Sequence, residues 1–114
     1  MDISIPNEWG ALKTSHKEIV ARHGRSYAGV NVAFCEDGLY RQYPHLFYSY
    51  GGFCGPANIK DPGYATVAEA VNAGLEELLR RWHKPFPQEP QSVHDELAEL
   101  RSQVETRIRQ PSLF

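Results

Sequence analysis

The clearest periodicity in the chain runs from residue 68 to residue 82. Ala68, Val71, Leu75, Leu78, Leu79 and Trp82 recur at helical spacing and make one broad apolar stripe. The run Thr66-Val67-Ala68-Glu69 before them is a capping box, with Thr66 as N-cap and Glu69 three residues on. Pro85 stops the pattern, because proline restricts the residue before it and has no N–H to donate. These signs predict a helix that covers the apolar face of a sheet.

The sheet is read from residues 29–54. Val30, Val32 and Phe34 alternate with Asn31, Ala33 and Cys35, a strand pattern with one strongly apolar face. Asp37-Gly38 follows at once, a strong hairpin signal. With those two residues as the turn, Cys35 faces Tyr40 and Val32 faces Tyr43. The returning strand is crowded with aromatics, which suit a pleated, half-buried surface. Pro44 is expected at an edge or a bulge. Gly51-Gly52 marks a second turn or bend, leading to a short third strand over residues 53–59.

Residues 7–23 predict a helix. Trp9, Leu12, His16, Ile19 and Val20 recur at helical spacing, Asn7 suits the N-cap, and Gly24 suits the position after the end. The rival pattern is a shorter helix followed by a strand over residues 18–22. Near the other end, Val93, Leu97, Leu100, Val104 and Ile108 make a narrow stripe on a helix expected over residues 92–109. Its other faces carry Arg101/Glu105 and Glu105/Arg109 pairs. That stripe either packs on the body or forms a two-heptad seam with a second copy, so monomer and homodimer both stand.

The resulting class is α+β: a small antiparallel sheet of two to three strands covered by helices, plus a C-terminal amphipathic helix. The organisation reads as a core over residues 1–86, a proline-rich linker at 87–91, the helix at 92–109 and a tail at 110–114. The order of the first elements resembles a double-stranded RNA-binding domain. The basic cluster of such domains is reduced here to Arg80, Arg81 and Lys84.

Composition narrows the function classes. The 114 residues are 41% hydrophobic and 23% charged, with net charge −2. Residues 1–60 carry six Lys/Arg against five Asp/Glu, and residues 61–114 carry six against nine. Neither half has the basic face that sequence-independent DNA binding needs. The two cysteines, Cys35 and Cys54, make no CxxC pair, and no apolar run approaches a membrane span. A reducing cytoplasm with free thiols is the expected compartment. His16, His23, His45, His83 and His94 show no paired metal spacing, so neither metal nor cofactor is expected.

Three sets of residues carry candidate chemistry. Tyr40, Tyr43, Phe47, Tyr48 and Tyr50, with Arg41 and His45 among them, could stack bases or line a small-ligand site. From this strip the candidate ligand-binding residues are Tyr40, Arg41, Tyr43, His45, Tyr48 and Tyr50. The glycine-rich loop around Cys54 could support a thiol nucleophile, although a cysteine in an aromatic β segment is more often a small buried hydrophobe. The third set is the tail, Gln110-Pro111-Ser112-Leu113-Phe114.

That tail resembles the pentapeptide by which bacterial replication and repair proteins dock on the β sliding clamp. The family pattern is Gln, a variable residue, Ser or Asp, Leu, then Phe. Four constrained positions match, and Pro111 falls on the variable one. The resemblance implies a non-enzymatic interaction protein with Gln110 as polar anchor and Leu113 and Phe114 as the buried pair. The body is also similar to small uncharacterised proteins of phages, plasmids and integron cassettes. The carriers are Tyr48-Ser49-Tyr50-Gly51-Gly52-Phe53 and Val67-Ala68-Glu69-Ala70. That likeness implies no reaction.

Overall fold

The alternating segment forms the longest strand of the molecule, β4 (Ser26–Cys35), within a computed structural model that describes residues 2–110. The strand turns back into β5 (Tyr40–Tyr48) through a three-residue loop. The Cys35 N–H donates to the Leu39 carbonyl (2.9 Å), and Gly38 takes φ +81°. A left-handed glycine closing a three-residue loop is a standard hairpin geometry. It moves the register one residue from the two-residue expectation. Tyr40 faces Phe34, and Tyr43 faces Asn31. Because side chains alternate, a one-residue slip exchanges the two faces of the returning strand.

Residues 7–23 do not form the expected helix. Asn7 does start a local structure, but it is a turn: its side-chain oxygen accepts from the N–H groups of Trp9 (2.9 Å) and Ala11 (3.0 Å). β1 (Ile3–Ser4) and β2 (Ala11–Leu12) flank that turn, and β3 (His16–His23) follows. Residues 18–22 of the rival reading lie inside β3. The weak helix formers Thr14, Ser15 and His16 and the β-branched Ile19 and Val20 favour pairing once a partner strand is present. β3 pairs antiparallel with β4, with a bulge at Val20. Gly24, expected to end a helix, takes φ +61° in the tight turn between β3 and β4. The element order therefore departs from the double-stranded RNA-binding pattern.

The principal sheet has five strands rather than two or three, and it is mixed and strongly curled. β1 runs parallel to β4 at Phe34 and Cys35, beyond the end of β3 on the same edge. β6 (Gly51–Phe53) pairs with the far end of β5, from Leu46 to Tyr48. β7 (Ala57–Asn58) leaves this sheet and pairs with β2 in a small second one. These pairings are non-local, and β1, β2 and β7 are two residues each, too short to show a period.

Helix α1 (Val67–Arg80) begins where the capping box places it, with the Glu69 N–H donating to the Thr66 hydroxyl at 3.1 Å. Its buried face is Ala70, Val71, Gly74, Leu75 and Leu78, while Ala68 is exposed. Helix α2 (Gln91–Arg109) buries Val93, Leu97, Leu100 and Val104 in its own chain. Those residues join Ala28, Val30, Val32 and Leu46 of the sheet and the α1 face in one core, so the apolar seam of α2 is filled from within the chain. On the opposite face of β4, Ala33 and Cys35 pack with Leu12 and Ala57 of the small sheet. Among the described residues no helix is long and apolar enough to cross a membrane.

Gly74 marks the closest approach of α1 to the sheet. A Cβ there would lie 2.6 Å from a Val30 methyl and 2.7 Å from the Gln42 side-chain oxygen. Helix propensity alone would make Gly74→Ala stabilising. The contact reverses the sign: Gly74→Ala is expected to lower stability by about 1–2 kcal/mol in urea unfolding. A stabilised variant would contradict the close packing of α1 on β4.

Candidate functional site

Strand alternation divides the aromatic segment. Tyr40 and Tyr48 sit with Leu46 on the helix side and pack against the main core. Tyr40 stacks on Phe34, with ring centroids 4.9 Å apart. The Tyr48 hydroxyl pairs with His83 Nδ1 at 3.0 Å. Burial raises the Tyr48 phenol above its ordinary range, and the carboxylates of Glu89 and Glu96 add to that. Tyr50 is 57% exposed in the turn before β6. The six ligand-binding candidates therefore do not share one surface.

Arg41 is 8% exposed, and three of its five N–H donors are engaged. Its guanidinium forks onto both carboxylate oxygens of Asp37 (3.2 and 2.9 Å), and its Nε donates to the Asp61 carbonyl (3.0 Å). Hydrogen bonding by Arg41 holds the Asp37 carboxyl below its ordinary range, and the pairing raises Arg41 in turn. This tie joins the β4–β5 loop to residues 61–64.

Tyr43 and Tyr48 are instead linked past the end of α1 by a chain of contacts through Arg81, Phe53 and His83. Arg81 donates to the Tyr43 hydroxyl at 2.9 Å. Its guanidinium lies 5.0 Å from the Tyr43 ring centroid and 4.8 Å from that of Phe53, within cation–π range of both. The His83 ring stands edge-on to Tyr48 (5.5 Å) and beside Phe53 (5.3 Å). The capping position of α1 puts Arg81 here, where the helix C-terminus also favours a cation. In the sequence Arg81 stands only in the weak basic cluster of Arg80, Arg81 and Lys84, and the local signal for its role is its position just past the last turn of a capped helix.

Beside this cluster the outer edge of β5 is open. Tyr40 exchanges both main-chain hydrogen bonds with Tyr64 (2.8 Å each), so its amide and carbonyl point away from β4. Two residues on, the main chain of Gln42 points the same way. Pro44 has no N–H to offer on that side, and pairing with β6 begins only at Leu46. The expected edge position of Pro44 is thus a gap in an otherwise paired edge. The gap opens on a cleft of about 320 Å³ lined by Gln42, Tyr43, Asp61, Tyr64, Glu77 and Arg80. The Gln42 amide donates to Glu77 at 2.9 Å on its wall.

His45 lies on the sheet face away from the helices and is fully buried, with neither ring nitrogen hydrogen-bonded. Tyr27 packs edge-on against it at 5.6 Å, and Gly29 leaves room for Nε2. Burial, with a smaller contribution from the Lys17 charge, lowers its pKa from 6.5 to about 4. Cys54 is exposed, and no hydrogen bond joins its sulfur to a histidine among the described residues. Gln110 is exposed at the C-cap of α2, its N–H on the Thr106 carbonyl (2.9 Å). Leu113 and Phe114 lie outside the described residues, as do Pro111 and Ser112. Among the described residues no group of three or more His, Cys, Asp or Glu side chains could hold a metal ion.

The chain matches no protein-family model, no curated protein and no solved structure.

The His45 environment gives a pH dependence with a definite sign. The folded state holds the ring neutral down to about pH 4, while the unfolded chain takes up a proton below about 6.5. Stability is therefore expected to fall as pH drops from 6.5 towards 4, by up to about 3 kcal/mol, and to be indifferent to His45 above that window. Urea unfolding across this range, with His45→Leu as control, measures the contribution as the difference in slope. Equal slopes would mean that the ring is solvated.

Proposed function

We propose that the protein is a non-enzymatic interaction protein that docks on the bacterial sliding clamp through Gln110-Pro111-Ser112-Leu113-Phe114. The residue pattern of the tail carries this reading. What supports it in the fold is the helix that precedes the tail. Four buried apolar side chains hold α2 on the core, and the helix runs to Arg109 with Gln110 exposed at its cap. A short apolar pair that follows a fixed helix in the sequence suits peptide-in-groove recognition. Removing Leu113 and Phe114 takes away about 1.5–3 kcal/mol of burial each. The variant Leu113→Ala/Phe114→Ala is therefore expected to bind purified clamp at least ~100-fold more weakly in surface plasmon resonance. Deletion of residues 110–114 abolishes capture. Unchanged capture by the deleted protein would overturn the proposal.

A second reading, a small-ligand or single-stranded nucleic-acid module, is favoured by one observation: the Arg81 guanidinium between two aromatic rings beside an open cleft. Cations and stackable rings together are how single strands are held without sequence preference. On this reading, Arg81→Ala weakens binding of a fluorescent oligothymidylate, and added salt weakens it in the parent protein. No binding at low salt removes the nucleic-acid form of this reading.

A further inference from the structure

A pocket lies where the β3–β4 turn, the β5–β6 turn and the start of α2 meet. It has a volume of about 360 Å³ and is lined by His23, Arg25, Ser26, Ser49, Ser92 and Glu96. Glu96 is 6% exposed. It accepts from the Ser26 hydroxyl, from the Ser49 N–H (3.1 Å) and from the Ser49 hydroxyl (2.7 Å). It forms no ion pair with any described residue. Buried carboxylates are usually paired with a cation, and here only neutral donors meet Glu96.

The direction of these hydrogen bonds determines what the pocket offers. Both hydroxyls give their protons to Glu96, so each presents only lone pairs to other partners. A carboxylate has about four acceptor positions, and three are used here. The wall is thus a set of oxygen acceptors around one negative charge. Glu96 repels an anion, and the donors that line the pocket, on His23, Arg25 and Ser92, belong to exposed side chains. A primary ammonium brings three N–H donors and the missing positive charge. Arg25 and His23 stand exposed at the rim, where Arg25 disfavours a second positive charge on the ligand.

We propose that this pocket binds the primary ammonium group of a small monocationic or zwitterionic molecule, with Glu96 as counter-ion and Ser26 and Ser49 as acceptors. The pocket shares no lining residue with the Arg81 cluster, and the inference depends on neither functional reading.

The test is an NMR titration of the full-length protein at constant ionic strength with n-propylammonium chloride and, separately, tetramethylammonium chloride. The two ions share a charge, but only the first has N–H donors. The proposal expects saturable shifts of the Ser26, Ser49 and Glu96 amides with propylammonium alone. Glu96→Gln, which keeps the side-chain shape and removes the charge, is expected to bind at least ~10-fold more weakly. Equal responses to the two salts, no saturable response, or full affinity in Glu96→Gln would each overturn it. If Glu96→Gln does not fold, Ser49→Ala substitutes for it, since Ser49 is an exposed turn residue. Undiminished propylammonium affinity in Ser49→Ala counts equally against the site.

Discussion

Hydrogen bonding along both edges of β4 is the constraint to which the other elements refer. β3 and then β1 occupy one edge, and β5 occupies the other. Both faces are covered as well: Ala28, Val30 and Val32 by the two helices, Ala33 and Cys35 by the small sheet. The close fit has a local requirement at Gly29. A Cβ there would lie 1.9 Å from the Glu18 carbonyl oxygen, so any side chain would push β3 away next to its bulge. Gly74 plays the matching part on the helix side.

The loop between β4 and β5 then decides which side chains meet. Gly38 in the left-handed region makes it three residues long, and this sets Tyr40 against Phe34 and Tyr43 against Asn31. The shift sends Tyr40 and Tyr48 to the core side and leaves Tyr43 at the open edge, within reach of Arg81. It also turns Arg41 towards Asp37 and Asp61, where its charge is used in holding the loop. What could have been a continuous aromatic strip is dispersed: Tyr40 and Tyr48 pack on the main core, Phe47 on Tyr27, Tyr43 on Arg81, and Tyr50 is exposed.

Two polar groups interrupt otherwise apolar surfaces, and they are accommodated in opposite ways. His45 stays buried by remaining neutral, with no hydrogen bond to either ring nitrogen. Glu96 occupies a position on the buried side of α2, between Val93 and Leu97, and is met by two hydroxyls and an amide. A charged residue among the apolar positions of a helix was visible in the sequence. Its partners, 70 and 47 residues away, were not.

The sequence by itself determined both helices, because their signals are local. The Thr66–Glu69 capping box, the Pro85 stop and the Val93–Val104 stripe act within a few residues of the backbone they shape. It also determined the β4–β5 hairpin and the α+β class, since alternation and a turn glycine are local too. Tertiary structure decided the fate of residues 7–23, whose apolar spacing fits a helix until β4 offers a full edge of hydrogen bonds to His16–His23. It decided the parallel pairing of β1, the gap at Pro44 and the company of Arg81. Each depends on contacts between distant segments, and such contacts leave no period in the chain.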